Sequence, residues 1–393
     1  MKKSILSFLF AITASVGPIS AKIIEHVQID DLYYNLDDEH QTAEVTYEKQ
    51  SSQDNYSGLT SVTIPVSVVY EATTFSVVRI SSESFRYCSG LTSVIIGNNV
   101  TTIDRLAFSH CSSIKSVVIP NGIVNIEERA FDHCLGLTMV TIGNSVTYIG
   151  EGSFAYCSGL TTITLPNSIE SLGEAAFFSC GGLTSVNLGN CLTNIGESTF
   201  EDCGSLTSIT IPNSVINIGQ RAFYKCGSLT SVYIGKSTTK IGDYAFYKCS
   251  SLNDLIIGNN AIYIGEGSFA RCSSLTSIII PKNVQSLGEG AFAECMSLTM
   301  ITCEAIVPPT CNSDAFYGID KSTPLYVPAE SVEDYKVADE WKDFANNIYP
   351  IKHETIDEIG NNRKLNTQKI WRNGKILIES SSKTYTIHGQ EIE

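Results

Sequence analysis

Leu206–Ser228 reads LTSITIPNSVINIGQRAFYKCGS, and this wording returns along the chain every 23 residues. Its cysteine recurs at Cys88, Cys111, Cys134 and onward to Cys295, each preceded three residues earlier by a phenylalanine, from Phe85 to Phe292. A fixed period in the twenties marks a solenoid, in which each unit packs only on its neighbours. The rung Leu229, Val232, Ile234, Ile241, Ala245, Phe246, Cys249 shows the apolar spacing. Its first part alternates, so it predicts a strand with Val232 and Ile234 inward and Ser231 and Tyr233 outward. Gly or Pro ends that strand, as at Pro212 or Gly235, and Ile-Gly marks a second turn, as at Ile218-Gly219. The AF-xx-C segment is expected to close each rung with one helical turn.

The expected fold is therefore a β-rich solenoid: 23-residue rungs of short parallel strands, a helical turn per rung, a cap at each end and a small β tail. Residues 1–21 read as a secretory signal peptide, with Lys2 and Lys3 before an apolar stretch from Ile5 to Val16 and a cleavage region at Pro18–Ala21. That apolar stretch is too short for a spanning helix, and no later segment is long enough for one. Residues 22–54 form an N-terminal cap with strands at Val27–Ile29, Leu32–Tyr34 and Ala43–Tyr47. The solenoid runs over 55–303, with an excursion around Val68–Phe75 that reads as a hairpin. The C-terminal cap covers 304–351, where Ser331–Phe344 has near-helical apolar spacing with Ser331 as N-cap. A linker spans 352–367. Residues 368–393 are a small β unit whose Asn373-Gly374 is a hairpin signal.

Composition excludes one class of partner. Against 41 acidic side chains stand 26 basic ones, a net charge of -15. A phosphate backbone meets repulsion from that balance, so nucleic acid is not expected. The 13 cysteines suit a different reading from disulfides. Stacked equivalents sit about 4.8 Å apart, but their Cβ atoms point the same way and not toward one another. The ladder is expected to be free, buried thiol, so that a hydroxyl at Cys226 is expected to lack a partner. Outside the ladder stand Cys191, Cys303 and Cys311, of which Cys303 and Cys311 are the pair open to bridging.

The wording LTSVxIPxSVxxIGxxAFxxC over residues 85–303 resembles the BspA-like leucine-rich repeats of bacterial surface proteins. The ending Thr302–Pro350, with PPTC, AFYGI and STPLYVPAESVEDYK, is similar to the close of such arrays in Bacteroidetes-type bacteria, and the last 25 residues, with RNGKILI and GQEIE, to a short C-terminal sorting domain. The resemblance implies a right-handed leucine-rich-repeat solenoid, secreted or at the outer cell surface, adhering to host matrix proteins or other bacterial surface proteins. It supplies no catalytic residue and no cofactor. The usual asparagine ladder of other leucine-rich repeats is missing here, which leaves curvature open.

Three outward columns are candidate ligand surfaces. In the second strand column Tyr233, Ile256 and Ile279 follow one another, an apolar run on a sheet face. The column before the cysteines holds Lys225, Lys248 and Arg271, a basic stripe facing an acidic partner, or simply solvated surface. The first strand column is hydroxyl-rich and nearly constant. His110 and His133, in the pre-cysteine column, are not assigned a metal, since Cys111 and Cys134 beside them should face inward. Gly150–Ser153 and Gly265–Ser268 carry fragments of a nucleophile elbow without the full pattern, and their repetition argues for structure. The expectation is a non-catalytic binding solenoid. A surface spacer without a specific ligand, or a glycan-binding module, stays as the alternative, and the oligomeric state is open.

Overall fold

The structure is a computed structural model that describes residues 23–48 and 56–351, together with the strand backbone of four segments between 367 and 392. The signal peptide and most of the linker named above lie outside the described residues. The chain separates into two compact units, residues 1–351 and 352–393.

In the first unit every rung contributes two strands. The longer ones, such as Ser208–Ile211 and Ser231–Ile234, pair in parallel with a shift of one repeat: Ser208 faces Ser231 and Ile211 faces Ile234. The shorter ones are two residues long, such as Asn217–Ile218, which pairs with Lys240–Ile241. Equivalent residues thus stack directly, and a side chain that faces inward in one rung faces inward in all. Leu229, Val232, Ile234, Ile241, Ala245, Phe246 and Cys249 are all buried, as the alternation required. Where Thr238 replaces the usual valine it is buried too, and its hydroxyl donates to the Val215 carbonyl at 3.0 Å. An inward polar group is tolerated because it is paired.

The AF-xx-C segment departs from expectation. Among the described residues no rung contains a helix; turns fill this segment in each one. In the rung of Phe223 the N–H groups of Arg221, Phe223 and Lys225 donate to Asp243, Tyr247 and Ala245 carbonyls one rung on, Phe223 pairing with Ala245 and Lys225 with Tyr247. The intervening Tyr224 and Cys226 N–H groups close turns on Arg221 and Phe223. Alternate amides therefore point along the stack, which a helix with its i to i−4 bonds does not allow. The cost is two left-handed residues per rung, here Arg221 (φ 54°) and Lys225 (φ 61°).

The phenylalanines form one continuous stack. From Phe85 to Phe292 successive ring centroids lie 5.0–5.5 Å apart with planes within 11°. Tyr56 covers one end, 5.2 Å from Phe85. Its hydroxyl donates to the Thr46 carbonyl and accepts from the Tyr33 N–H, so the polar tip is satisfied where the stack meets the cap. At the other end Phe316 follows Phe292 at 5.9 Å, and Trp341 and Phe344 close over it.

Three strands, Ile23–Ile29, Leu32–Asp37 and Thr42–Thr46, form the antiparallel N-terminal sheet, and Ser67–Tyr70 with Thr73–Ile80 form the hairpin excursion. The C-terminal end differs from the single helix expected over Ser331–Phe344. It is a short helix at Val332–Tyr335 between 3-10 turns at Ala329–Ser331 and Trp341–Asn347, interrupted by left-handed Glu340 (φ 64°). The Ser331 side chain caps nothing; it is buried. Breaking the helix lets Tyr335 and Trp341 both turn inward, where Tyr335 donates to the Ala305 carbonyl and Trp341 to that of Pro309, each at 2.8 Å.

In the second unit Thr367–Arg372, Lys375–Ser380, Lys383–Thr386 and Glu391–Ile392 form an antiparallel sheet. Arg372 pairs with Lys375, the register a two-residue turn requires, while Asn373-Gly374 itself lies outside the described residues.

Candidate binding surface

Outward strand residues are held by the same ladder that buries their neighbours. Tyr233 and Ile256 are register partners and both half-buried, whereas Ile279 is about half exposed. The strand ladder stops after Asp254–Ile256 and resumes at Ser277–Ile280, so Ile256 and Ile279 belong to different sheets. The expected three-residue run is therefore divided. A more exposed apolar group stands earlier, where Ile95 and Val118 are each 59% exposed and Met139, opposite Ser116, is 55% exposed. The same columns contain these residues in the sequence, but a column does not reveal how exposed each one is.

The basic stripe is partly occupied. Arg271 donates to Glu294 Oε1 at 3.0 and 3.2 Å. Lys225 lies 5.3 Å from the Tyr224 ring, and Lys248 lies 5.6 Å from the Tyr247 ring, with Tyr224 and Tyr247 stacked at 5.0 Å. Each ammonium thus rests beside a tyrosine of its own rung, a contact the column reading missed because it ran along the stack and not across it.

Ahead of this stripe the same column carries rings. Tyr87, His110, His133 and Tyr156 stack in order at 4.7, 4.5 and 4.3 Å. His133 Nδ1 lies 3.0 Å from Asp132 Oδ1. The contact has the distance of an ion pair without the angle of a hydrogen bond, so the enclosed Nδ1 is left without a hydrogen-bonding partner. Nitrogens of both histidines and a carboxylate oxygen of Asp132 lie within 4.8 Å of one another. Burial and the neighbouring His133 hold the His110 imidazole below its ordinary pKa, with Arg86 acting the same way and Asp132 opposing. The sequence reading paired the histidines with Cys111 and Cys134 and passed over Asp132, whose side chain turns to the surface column although the residue is buried.

The cysteines face the other way. Cys111 and Cys134 are enclosed, and each thiol donates to a phenylalanine carbonyl one rung back, Phe85 and Phe108. Nine rungs repeat this contact, from Cys111 to Cys295. All the cysteines are free, Cys303 and Cys311 included. Ser153 and Ser268, the serines of the two elbow fragments, are fully buried and so are inaccessible as nucleophiles. Near the C-terminal end an open groove of about 860 Å³ runs past Ile262, Val284, Ile306 and Val307, of which Val284 alone holds a repeat position.

Residues 78–207 and 193–323 match the family described as BspA type Leucine rich repeat region, together well over half of the chain. The chain belongs to this family. No curated protein matches it. Among solved structures, this BspA-type chain is similar to a leucine-rich repeat protein from Bacteroides ovatus, 24% identical over 83% of this chain and 100% of the other, with a TM-score of 0.48. A leucine rich cell surface protein from Faecalibacterium prausnitzii is 25% identical over 85% of this chain and 96% of its own, with a TM-score of 0.44. The pneumococcal vaccine antigen PcpA is 18% identical over 84% and 98%, with a TM-score of 0.45. Among the described residues of the BspA-type chain no helix is long and apolar enough to cross a membrane.

Proposed function

We propose that this BspA-type protein is a secreted or surface-displayed, non-catalytic binding solenoid that mediates adhesion or protein–protein contact. The observation that carries the reading is the exposed apolar group Ile95, Val118 and Met139 on a sheet face built from a rigidly stacked ladder. Large apolar side chains fixed on a preordered surface lose little entropy when a partner covers them. Ile279 on a later strand, and Lys225 and Lys248 in the turn column, are separate candidate contacts. The membership in a family of surface repeats supports the placement outside the cell. The separate sheet of residues 367–392 is consistent with a sorting element at the end of the chain.

The test is retention of the full chain on immobilised matrix proteins and on whole bacterial cells, beside two substituted chains. One carries Ile95→Asp, Val118→Asp and Met139→Asp; the other carries Tyr233→Ala, Ile256→Asp and Ile279→Asp. Saturable binding lost in the first and kept in the second supports the reading. Binding to nothing, with both chains folded by circular dichroism, leaves the spacer function instead.

A further inference from the structure

We propose that His110, Asp132 and His133 form a site for a divalent transition-metal ion such as Zn²⁺, bound by one imidazole nitrogen from each histidine and a carboxylate oxygen of Asp132. The remaining coordination positions would be open to water or to a donor from a partner. This inference stands independently of the apolar surface above.

The repeat brings the donors together. His110 and His133 occupy the same position in successive rungs, each on a left-handed residue (φ 62° and 57°), and their rings stack at 4.5 Å and 17°. The His110 N–H donates to the Asp132 carbonyl at 2.7 Å, which ties the histidine of one rung to the acid of the next. All three donor atoms lie within 4.8 Å of one another. Zinc binds imidazole nitrogen at about 2.0–2.1 Å and carboxylate oxygen at about 2.0–2.2 Å, in a tetrahedron. Ligand atoms in such a site are roughly 3.3 Å apart, so the two rings must tilt toward each other. That movement is a side-chain rotation and asks nothing of the backbone ladder.

One further observation favours a ligand. The enclosed His133 Nδ1 lies beside a buried carboxylate yet makes no hydrogen bond with it, an arrangement that a shared cation would complete. Arg86, the cation that bears on His110, is held by Glu83 at 2.9 Å. The thiols of Cys111 and Cys134 are committed to core carbonyls and take no part. A set of two imidazoles and one carboxylate favours zinc, nickel or copper over calcium or magnesium.

The test is titration of the chelator-treated full chain with ZnCl₂ by calorimetry, and with CoCl₂ by visible absorption. His110→Phe and His133→Phe retain a ring in the stack while removing its nitrogens, and Asp132→Asn removes the charge at nearly constant volume. One more equivalent of metal in the native chain than in either phenylalanine variant, weakened at least tenfold in Asp132→Asn, is expected. Melting temperature should rise with ZnCl₂ in the native chain, less in Asp132→Asn, and not in the phenylalanine variants. Uptake of equal stoichiometry and affinity in the native chain and in folded Asp132→Asn and phenylalanine variants would overturn the proposal, as would no uptake by the native chain.

Discussion

The thiol of Cys226 lies 3.2 Å from the carbonyl oxygen of Phe200, one rung back in the stack. The same carbonyl accepts the Cys203 N–H at 3.3 Å, so its two acceptor sites serve the turn of its own rung and the thiol of the next. A cysteine here is more than a small apolar filler: it satisfies a buried carbonyl that the alternating turn leaves half used.

Replacement of Cys226 therefore depends on what keeps the acceptor. The sequence alone led to a hydroxyl without a partner, but the Phe200 carbonyl is within reach of one. Cys226→Ser should cost about 1 kcal/mol, the net worth of a poorly spaced hydrogen bond. Cys226→Ala leaves both a void and a half-satisfied carbonyl, and should cost about 2–3 kcal/mol. Urea unfolding of the three chains measures the order. An alanine variant as stable as the serine variant would show that the thiol contact contributes nothing.

Alkali should weaken the fold through the same ladder. Burial pushes the Cys180 thiol from its ordinary 9.0 up to about 12, and Cys203, Cys226 and Cys249 are driven well upward for the same reason. The unfolded chain releases these protons near its ordinary value while the folded chain holds them. Stability is thus fully present below pH 9.0 and falls as pH rises toward about 12. Melting curves taken between neutral pH and pH 11 should show a decline that steepens above pH 9. Under native conditions a maleimide should react first with exposed Cys191, while the buried ladder stays protected. Rapid labelling of Cys226 would contradict its burial.

Lys225 tests the turn that replaced the expected helix. Its φ of 61° is in the left-handed region, where a β-branched side chain is strained. Lys225→Val should destabilise by about 1–2 kcal/mol, while Lys225→Gly should be neutral or stabilising by up to about 1 kcal/mol. In a helical turn the order would reverse, because glycine is the poorer helix former. Thermal unfolding of the two variants separates the two conformations.

What the sequence disclosed and what it withheld divide along a physical line. Positions such as Val232, Ile234 and Phe246 were legible because burial repeats with the period, and a stacked ladder copies one rung's orientation to all. The path of AF-xx-C was not, since Ala and Phe at that spacing suit a helical turn as well as alternating turns, and only the left-handed column decides. The site was less legible still. Asp132 meets His110 and His133 because neighbouring positions in successive rungs converge, and reading a single column passes over such diagonal contacts. The Tyr233, Ile256 and Ile279 run looked continuous in one column but is divided by a break in the strand ladder.

Trp341 closes the stack, and its removal should act locally before it acts globally. Its ring packs 5.0 Å from Phe316, the last of the stacked phenylalanines, and its Nε1–H donates to the Pro309 carbonyl at 2.8 Å. Both partners are buried by it, so Trp341→Ala exposes an end of the core and leaves a carbonyl unpaired, a loss of about 3–5 kcal/mol. In a solenoid each rung contacts only its neighbours, so this loss is felt first by the rungs next to the cap. Hydrogen exchange should therefore quicken at Ile301 and Leu325 well before it changes at Val117 or Val140. Uniform acceleration along the whole stack would mean that the rungs unfold as one cooperative block and that the cap acts on all of them alike.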